Sequence, residues 1–172
     1  MGKITLILGG ARSGKSQCAV KLAKGYAKSV LFVATASAKD SEMRQRIKLH
    51  KKNRPAHWKT QEEPKKIVSL IKKLPDKFDL VIIDCLTLFI SNLLLEKKSD
   101  AYIEKEVILI LKGLKNSKFE SILVSNEVGL GIVPDNPLAR RFRDLAGRIN
   151  QRLTRWSDKV YFIISGLPIK IK

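Results

Sequence analysis

The sequence predicts an α/β protein, a three-layer fold in which helices cover both faces of a mostly parallel central sheet. Three observations carry that prediction. Short runs of Val, Ile and Leu lack strict polar alternation, as strands buried on both faces do. Longer stretches with apolar residues at three- and four-residue spacing separate them, and strands alternating with helices imply right-handed crossovers. A glycine-rich octapeptide, GGARSGKS at 9–16, stands between the first run and the first helical stretch.

The first strand is Ile4 to Leu8. After the glycine-rich loop, Cys18, Ala19, Leu22, Ala23 and Tyr26 recur at helical spacing, and Gly25 marks the end of that helix. Val30 to Ala34 is the second strand. Residues 41–53 predict a helix that closes before Pro55, because the residue preceding a proline is pushed out of the α region. A helix at 62–74, a strand at Leu80 to Asp84, helices at 86–96 and 101–115, and a strand at Ser121 to Ser125 follow. In the last helix Leu138, Phe142, Leu145, Ile149, Leu153 and Trp156 form one stripe, and Arg141, Arg148, Arg152 and Arg155 form another. Val160 to Ile164 is the closing strand.

The chain's 172 residues suffice for one domain with a proper core, so a single unit spanning 1–172 is expected. Cys18 and Cys85 are far apart and form no C-x-x-C, which suggests neither a disulfide framework nor a zinc site. Apolar runs fall well short of the roughly 18 residues of a membrane span, and the apolar start runs straight into the glycine-rich loop. A soluble cytoplasmic protein is expected. The net charge of +18 suits a binder of nucleic acid or anionic membrane, or an enzyme for phosphorylated substrates. Residues 43–77 hold 12 Lys/Arg against 3 Asp/Glu, so half of the net charge sits in about a fifth of the chain. The sequence has no zinc-finger or RNA-recognition pattern, which ranks the nucleic-acid binder below the enzyme.

GGARSGKS matches G-x-x-x-x-G-K-[ST] through Gly9, Gly14, Lys15 and Ser16, entered by an apolar strand and left by an amphipathic helix. Glycines let successive N–H groups turn toward one anion, and the helix adds its positive end. Lys15 reaches the terminal phosphates, and the Ser16 hydroxyl is placed to ligate Mg2+. LVIID at 80–84 ends an apolar strand in Asp84, the form of a second magnesium-binding carboxylate. The fold expectation sharpens to a P-loop NTPase-like one.

Both histidines, His50 and His57, lie in MRQRIKLHKKNRPAHW at 43–58. The charges of Lys48, Lys51, Lys52 and Arg54 disfavour a protonated imidazole at His50, while the end of the predicted helix favours one. A neutral His50 in a positive field is suited to nucleophilic attack on phosphorus. An inert surface histidine in a basic patch is the competing reading, and spacing alone leaves both open. Metal ligation fits poorly, since seven-residue spacing across a proline does not align two imidazoles.

Four stretches together carry a specific resemblance: GGARSGKS, EMRQRIKLHKKNRPAHW at 42–58, SNEVGLGIVPDNPLARRFRDLAGRINQRL at 125–153, and the closing SGLPIKIK. With them the chain resembles the adenosylcobinamide kinase/adenosylcobinamide-phosphate guanylyltransferase family of cobalamin synthesis over nearly its whole length. The resemblance implies phosphorylation of adenosylcobinamide, then transfer of GMP from GTP to adenosylcobinamide phosphate through a histidine that matches His50. GTP is the implied nucleotide, with ATP a second candidate for the kinase step. His57 is read as structural or as a secondary contact. Implied nucleotide contacts are Gly9, Gly10, Ala11, Arg12, Ser13, Gly14, Lys15 and Ser16 of the loop, then Thr35, Ala36 and Ser37, then Lys51, Lys52, Asn53 and Arg54, with Glu62 and Asp84. Catalysis is expected of His50 and Lys15, and magnesium binding of Ser16 and Asp84. A homo-oligomer, guessed as a trimer, is also implied. Asp84 stands where familiar members carry Glu, and Asn53 where they carry glycine. The nearest alternative is a monofunctional P-loop kinase of a small metabolite, with His50 inert.

Overall fold

The computed structural model describes residues 1–25, 27–36, 45 and 54–172. In chain order they form β1 (Ile4–Gly9), α1 (Lys15–Lys24), β2 (Val30–Ala34), β3 (Lys59–Glu62), α2 (Ile67–Lys72) and β4 (Leu80–Asp84). Then come α3 (Leu86–Leu95), α4 (Asp100–Lys115), β5 (Glu120–Val124), α5 (Pro137–Trp156), β6 (Lys159–Ile164) and β7 (Leu167–Lys170). One sheet of seven strands runs in the order β3-β2-β4-β5-β1-β6-β7, parallel except for the antiparallel pair β6 and β7.

Residues alternate between the two faces of the buried strands. On one face Ile4, Leu6, Leu31, Val33, Val81, Ile83 and Leu123 meet residues of α2, α3, α4 and α5. On the other, Ile7, Val30, Phe32, Leu80, Ile82 and Ile122 meet Ala19 and Ala23 of α1, together with Trp58. Burial on both sides explains why these strands read as unbroken apolar runs.

Local chemistry sets the helix ends. Ser99 Oγ accepts from Tyr102 N at 3.2 Å to open α4, with Asp100 in the first turn and Lys112 and Lys115 in the last, signs that complement the helix dipole. Asn136 Oδ1 accepts from Ala139 N at 3.1 Å to open α5, and Pro137 occupies its first turn, where no N–H is needed.

The structure differs from the sequence expectation at three places. The helix expected at 62–74 is α2, only Ile67–Lys72. Glu62 belongs to β3, and Glu63 Oε1 takes the N–H groups of Lys65 and Lys66 at 3.1 and 2.7 Å in a turn before the helix. β3, KTQE, shows no apolar pattern because it is an edge strand held by its ladder to β2. β7 returns from β6 through Ser165 and Gly166, both at positive φ as a two-residue hairpin requires, and its Pro168 is tolerated because the strand is an edge. Of the helix expected at 41–53, only Gln45 is among the described residues, and it is helical.

Candidate active site

The loop between β1 and α1 is built by two glycines. Gly9 has φ +151° and a Cβ there would stand 2.6 Å from the Ile163 carbonyl oxygen. Gly14 has φ +98° and opens α1 without a capping side chain, leaving the first N–H groups of the helix for a ligand. Arg12 also adopts a left-handed φ, +55°. Lys15 is buried, and its Nζ donates to Gly10 O at 2.5 Å and lies 3.5 Å from Ser13 Oγ. Burial lowers the pKa of Lys15, and the nearby Cys85 and Asp84 oppose that shift. Ser16 is half-buried in the first turn of α1.

The C-terminal ends of β2, β3 and β4 bring the other expected contacts together. Thr35, fully buried, accepts from Cys85 N and donates to Cys85 O, both at 2.7 Å, while its own N–H reaches Asp84 O at 3.1 Å. Asn92 Nδ2 holds Thr35 O at 3.0 Å. Arg54 lays its guanidinium 3.5 Å from the centroid of the Phe32 ring, a stacked cation–π contact. Burial lowers the Arg54 pKa, and the carboxylates of Asp84 and then Glu62 pull it back up. Asp84 therefore faces two cations, Lys15 and Arg54, and is half-buried. Burial, then Asp84, pushes the Cys85 thiol up to about 12, so it stays protonated as a small core residue. Trp58 is buried at the end of the R-P-A-H-W string, whereas His57 is exposed. Ala36 is half-buried. Ser37, His50, Lys51, Lys52 and Asn53 lie outside the described residues.

Sequence reasoning missed a buried polar chain at the end of β5. Asn126 N donates to Thr87 Oγ1 at 2.6 Å, and the Thr87 and Ser125 hydroxyls are 3.1 Å apart. Ser125 Oγ donates to Asn150 Oδ1 at 2.8 Å, and Asn150 Nδ2 donates to Asn126 O at 3.1 Å. Each hydroxyl and amide donates to the next, so Thr87, Ser125 and Asn150 are all satisfied inside the core. The chain fixes the segment carrying Glu127, whose N–H donates to Gly9 O at 2.9 Å. The signal lay in polar residues beside apolar ones: Thr87 in α3, Ser125 just after β5, and Asn150 next to the apolar stripe of α5. On the far side of the loop, Gly166 N donates to Ser13 O at 2.9 Å, so the β6–β7 turn braces it as well.

The arginine stripe of α5 turns to a neighbour rather than to the site. Arg141 and Arg148 pair with Asp100 at 2.8 and 2.7 Å, and Arg148 and Arg152 pair with Glu104 at 3.0 and 2.7 Å.

A phosphate loop ahead of a helix, on a sheet whose second carboxylate strand lies two places away, defines a P-loop nucleoside-triphosphate-binding protein. Two solved structures share this fold: an ATPase from the type III secretion system of pathogenic bacteria and the RadB recombinase. The ATPase has TM-score 0.65 and 11% identity, with 99% of this chain and 57% of that one covered. RadB has TM-score 0.54 and 17% identity, with 94% and 74% covered. The family profile described as Cobinamide kinase / cobinamide phosphate guanyltransferase matches residues 5–171. The "Bifunctional adenosylcobalamin biosynthesis protein CobU" of Salmonella typhimurium (strain LT2) is 41% identical, with 97% of this chain and 98% of that protein covered. The corresponding CobP of Pseudomonas aeruginosa is 42% identical, with 97% and 96% covered, and the CobU of Escherichia coli K12 is 38% identical, with 97% and 98% covered. The chain belongs to the cobinamide kinase/cobinamide phosphate guanylyltransferase family, bifunctional enzymes of cobalamin biosynthesis.

Proposed function

We propose that one P-loop domain carries both steps: it phosphorylates adenosylcobinamide, then passes the guanylyl group of GTP through His50 to the new phosphate, giving adenosylcobinamide-GDP. In the second step the imidazole lone pair of His50 forms a bond to the α-phosphorus, and the bond to pyrophosphate breaks. A phosphate oxygen of the corrinoid then displaces the imidazole, whose electron pair returns to the ring. The loop N–H groups and Lys15 stabilise the charge that develops on phosphorus. GTP serves the transferase step, and GTP or ATP the kinase step.

Asp84 and Ser16 would hold a magnesium ion, a hard cation that takes carboxylate and hydroxyl oxygens beside those of phosphates and water. Among the described residues no group of three or more His, Cys, Asp and Glu is placed to hold a metal. When bound, the ion draws charge from the transferring phosphoryl or nucleotidyl group. Thr35 and Asn92 hold the Asp84–Cys85 corner in place, and Arg54 sets a fixed cation beside Asp84.

The observation that supports this reading most is the convergence of Lys15, Thr35, Arg54, Glu62 and Asp84 at one end of the sheet, in a chain of this family. A cytoplasmic homotrimer belongs to the same reading. Cys18 and Cys85 are both free, as thiols are in a reducing compartment. Among the described residues no helix is long and apolar enough to cross a membrane. Ile164, Leu167, Ile169 and Ile171 offer an exposed apolar edge for a second copy.

The test is incubation with α-labelled GTP and magnesium, followed by denaturation. An acid-labile, alkali-stable label is expected in the wild type and absent in His50→Ala. A label that persists in His50→Ala removes His50 from the mechanism and leaves the kinase alone.

A further inference from the structure

We propose that Glu127 is the general base of the kinase step, taking the proton from the attacking hydroxyl of adenosylcobinamide. This rests on the two-step reading above and adds the group that reading leaves without an occupant.

Among the described residues the carboxylates of Glu62 and Glu63, Asp84 and Glu127 stand at or just after the C-terminal ends of β3, β4 and β5, and strand order separates them. Neighbouring strands lie about 4.8 Å apart. Glu62 ends β3, four places from β1, so it stands about 19 Å across the sheet from the strand that carries the phosphate loop. Asp84 ends β4, two places and about 10 Å away, and faces Lys15 and Arg54. Glu127 follows β5, one place and about 5 Å from β1, and its backbone is bonded directly to Gly9 of the loop. Its strand, β5, lies between the strand that carries the phosphate loop and the one that carries the carboxylate assigned to magnesium, which puts Glu127 beside the site on the side the proposal gives to the acceptor alcohol.

The carboxylate is also held. Oε1 accepts from Gly129 N at 2.7 Å, and Oε2 lies 3.5 Å from Asn150 Nδ2, the last link of the buried chain from Thr87. Each carboxylate oxygen has room for a second partner, so a substrate hydroxyl can be met without breaking either contact. No ammonium or guanidinium forms an ion pair with Glu127 among the described residues. Asp84 also forms no ion pair among the described residues, but its charge acts on Lys15 and Arg54, whereas Glu127 is not among the causes of either cation's shift.

The step balances. The acceptor oxygen forms a bond to the γ-phosphorus as the bond from that phosphorus to the β,γ-bridging oxygen breaks, and the bridging electron pair leaves with the nucleoside diphosphate. The hydroxyl proton passes to Glu127 and then to solvent.

Glu127→Gln keeps the side-chain length and an oxygen that accepts from Gly129 N, but cannot take a proton. Its kinase kcat should fall by about 10²- to 10⁴-fold. KM for adenosylcobinamide should move by less than about threefold, and Glu127→Asp should recover part of the rate. In the same preparation, GMP transfer to preformed adenosylcobinamide phosphate should fall at least about 100-fold less than the kinase rate. A kinase kcat within about threefold of the wild type overturns the proposal. An equal loss of both activities also overturns it, and makes Glu127 a support of the loop. A wild type that takes no label from α-labelled GTP, with the kinase still lost in Glu127→Gln, sinks the His50 reading and leaves this one standing.

Discussion

At the scale of single residues, the site depends on groups whose partners are all internal. Lys15 is buried against its own loop and beside Asp84, so its ammonium is already positioned before a phosphate arrives. Lys15→Ala is expected to lower both activities by about 10²- to 10³-fold, measured as kcat for each half-reaction, with the circular dichroism spectrum unchanged. Thr35 shows the opposite kind of dependence, one of structure. Thr35→Val keeps the shape but leaves the N–H and the carbonyl of Cys85 without the hydroxyl that serves both. That should cost about 1–3 kcal/mol, read as a lower midpoint in urea unfolding. That the loop lysine, its serine and Asp84 come to one end of the sheet was legible, because a phosphate loop after β1 and a carboxylate closing an apolar strand are patterns of fixed residue types at fixed spacing. Glu127 and Asn150 were not, since their roles arise from strand order and from a hydrogen-bond chain that joins residues 87 and 150.

At the scale of elements, the five inner strands and four of the helices could be read from apolar periodicity, because burial on two faces or one stripe imposes it. The two edge strands escaped. β3 is polar on both faces and is held by its ladder to β2, with its neighbour Trp58 buried in the core. β7 was hidden behind a proline, although Ser165-Gly166 is a hairpin signal. The arginine stripe of α5 is an inter-helix ladder with α4, centred on Glu104. Hydrogen bonds from Arg148, and after the opposing effect of burial those from Arg152, hold the Glu104 carboxyl below its usual range. A depressed carboxyl stabilises the fold fully above its unfolded value, near about 4.3, and loses that contribution as pH falls through the lowered value. Thermal stability should drop on acidification from about pH 5 toward about pH 3, and Glu104→Gln should flatten that part of the curve. Because the arginines are partly exposed, Arg148→Ala at neutral pH is expected to cost less than about 1 kcal/mol.

At the scale of the whole molecule, the charge of +18 and the site share one explanation. Lys15 and Arg54 line the end of the sheet, and the basic segment from 43 to 77 flanks it in sequence, so a triphosphate approaches a surface of opposite sign. Raising ionic strength from about 0.05 to about 0.5 M, which shortens screening to a few ångströms, should raise KM for GTP with a smaller effect on kcat. An unchanged KM would separate the net charge from nucleotide capture. The total charge alone did not distinguish an enzyme from a nucleic-acid binder; the phosphate loop and the lack of a nucleic-acid-binding pattern did.

The bond from Gly166 to Ser13 ties residues more than 150 positions apart, and β6 beside β1 makes the same long connection. The nucleotide cradle is therefore not a local motif that an early peptide could assemble by itself. During synthesis the octapeptide emerges long before the β6–β7 hairpin that braces it, so its shape is complete only once that distant hairpin has folded.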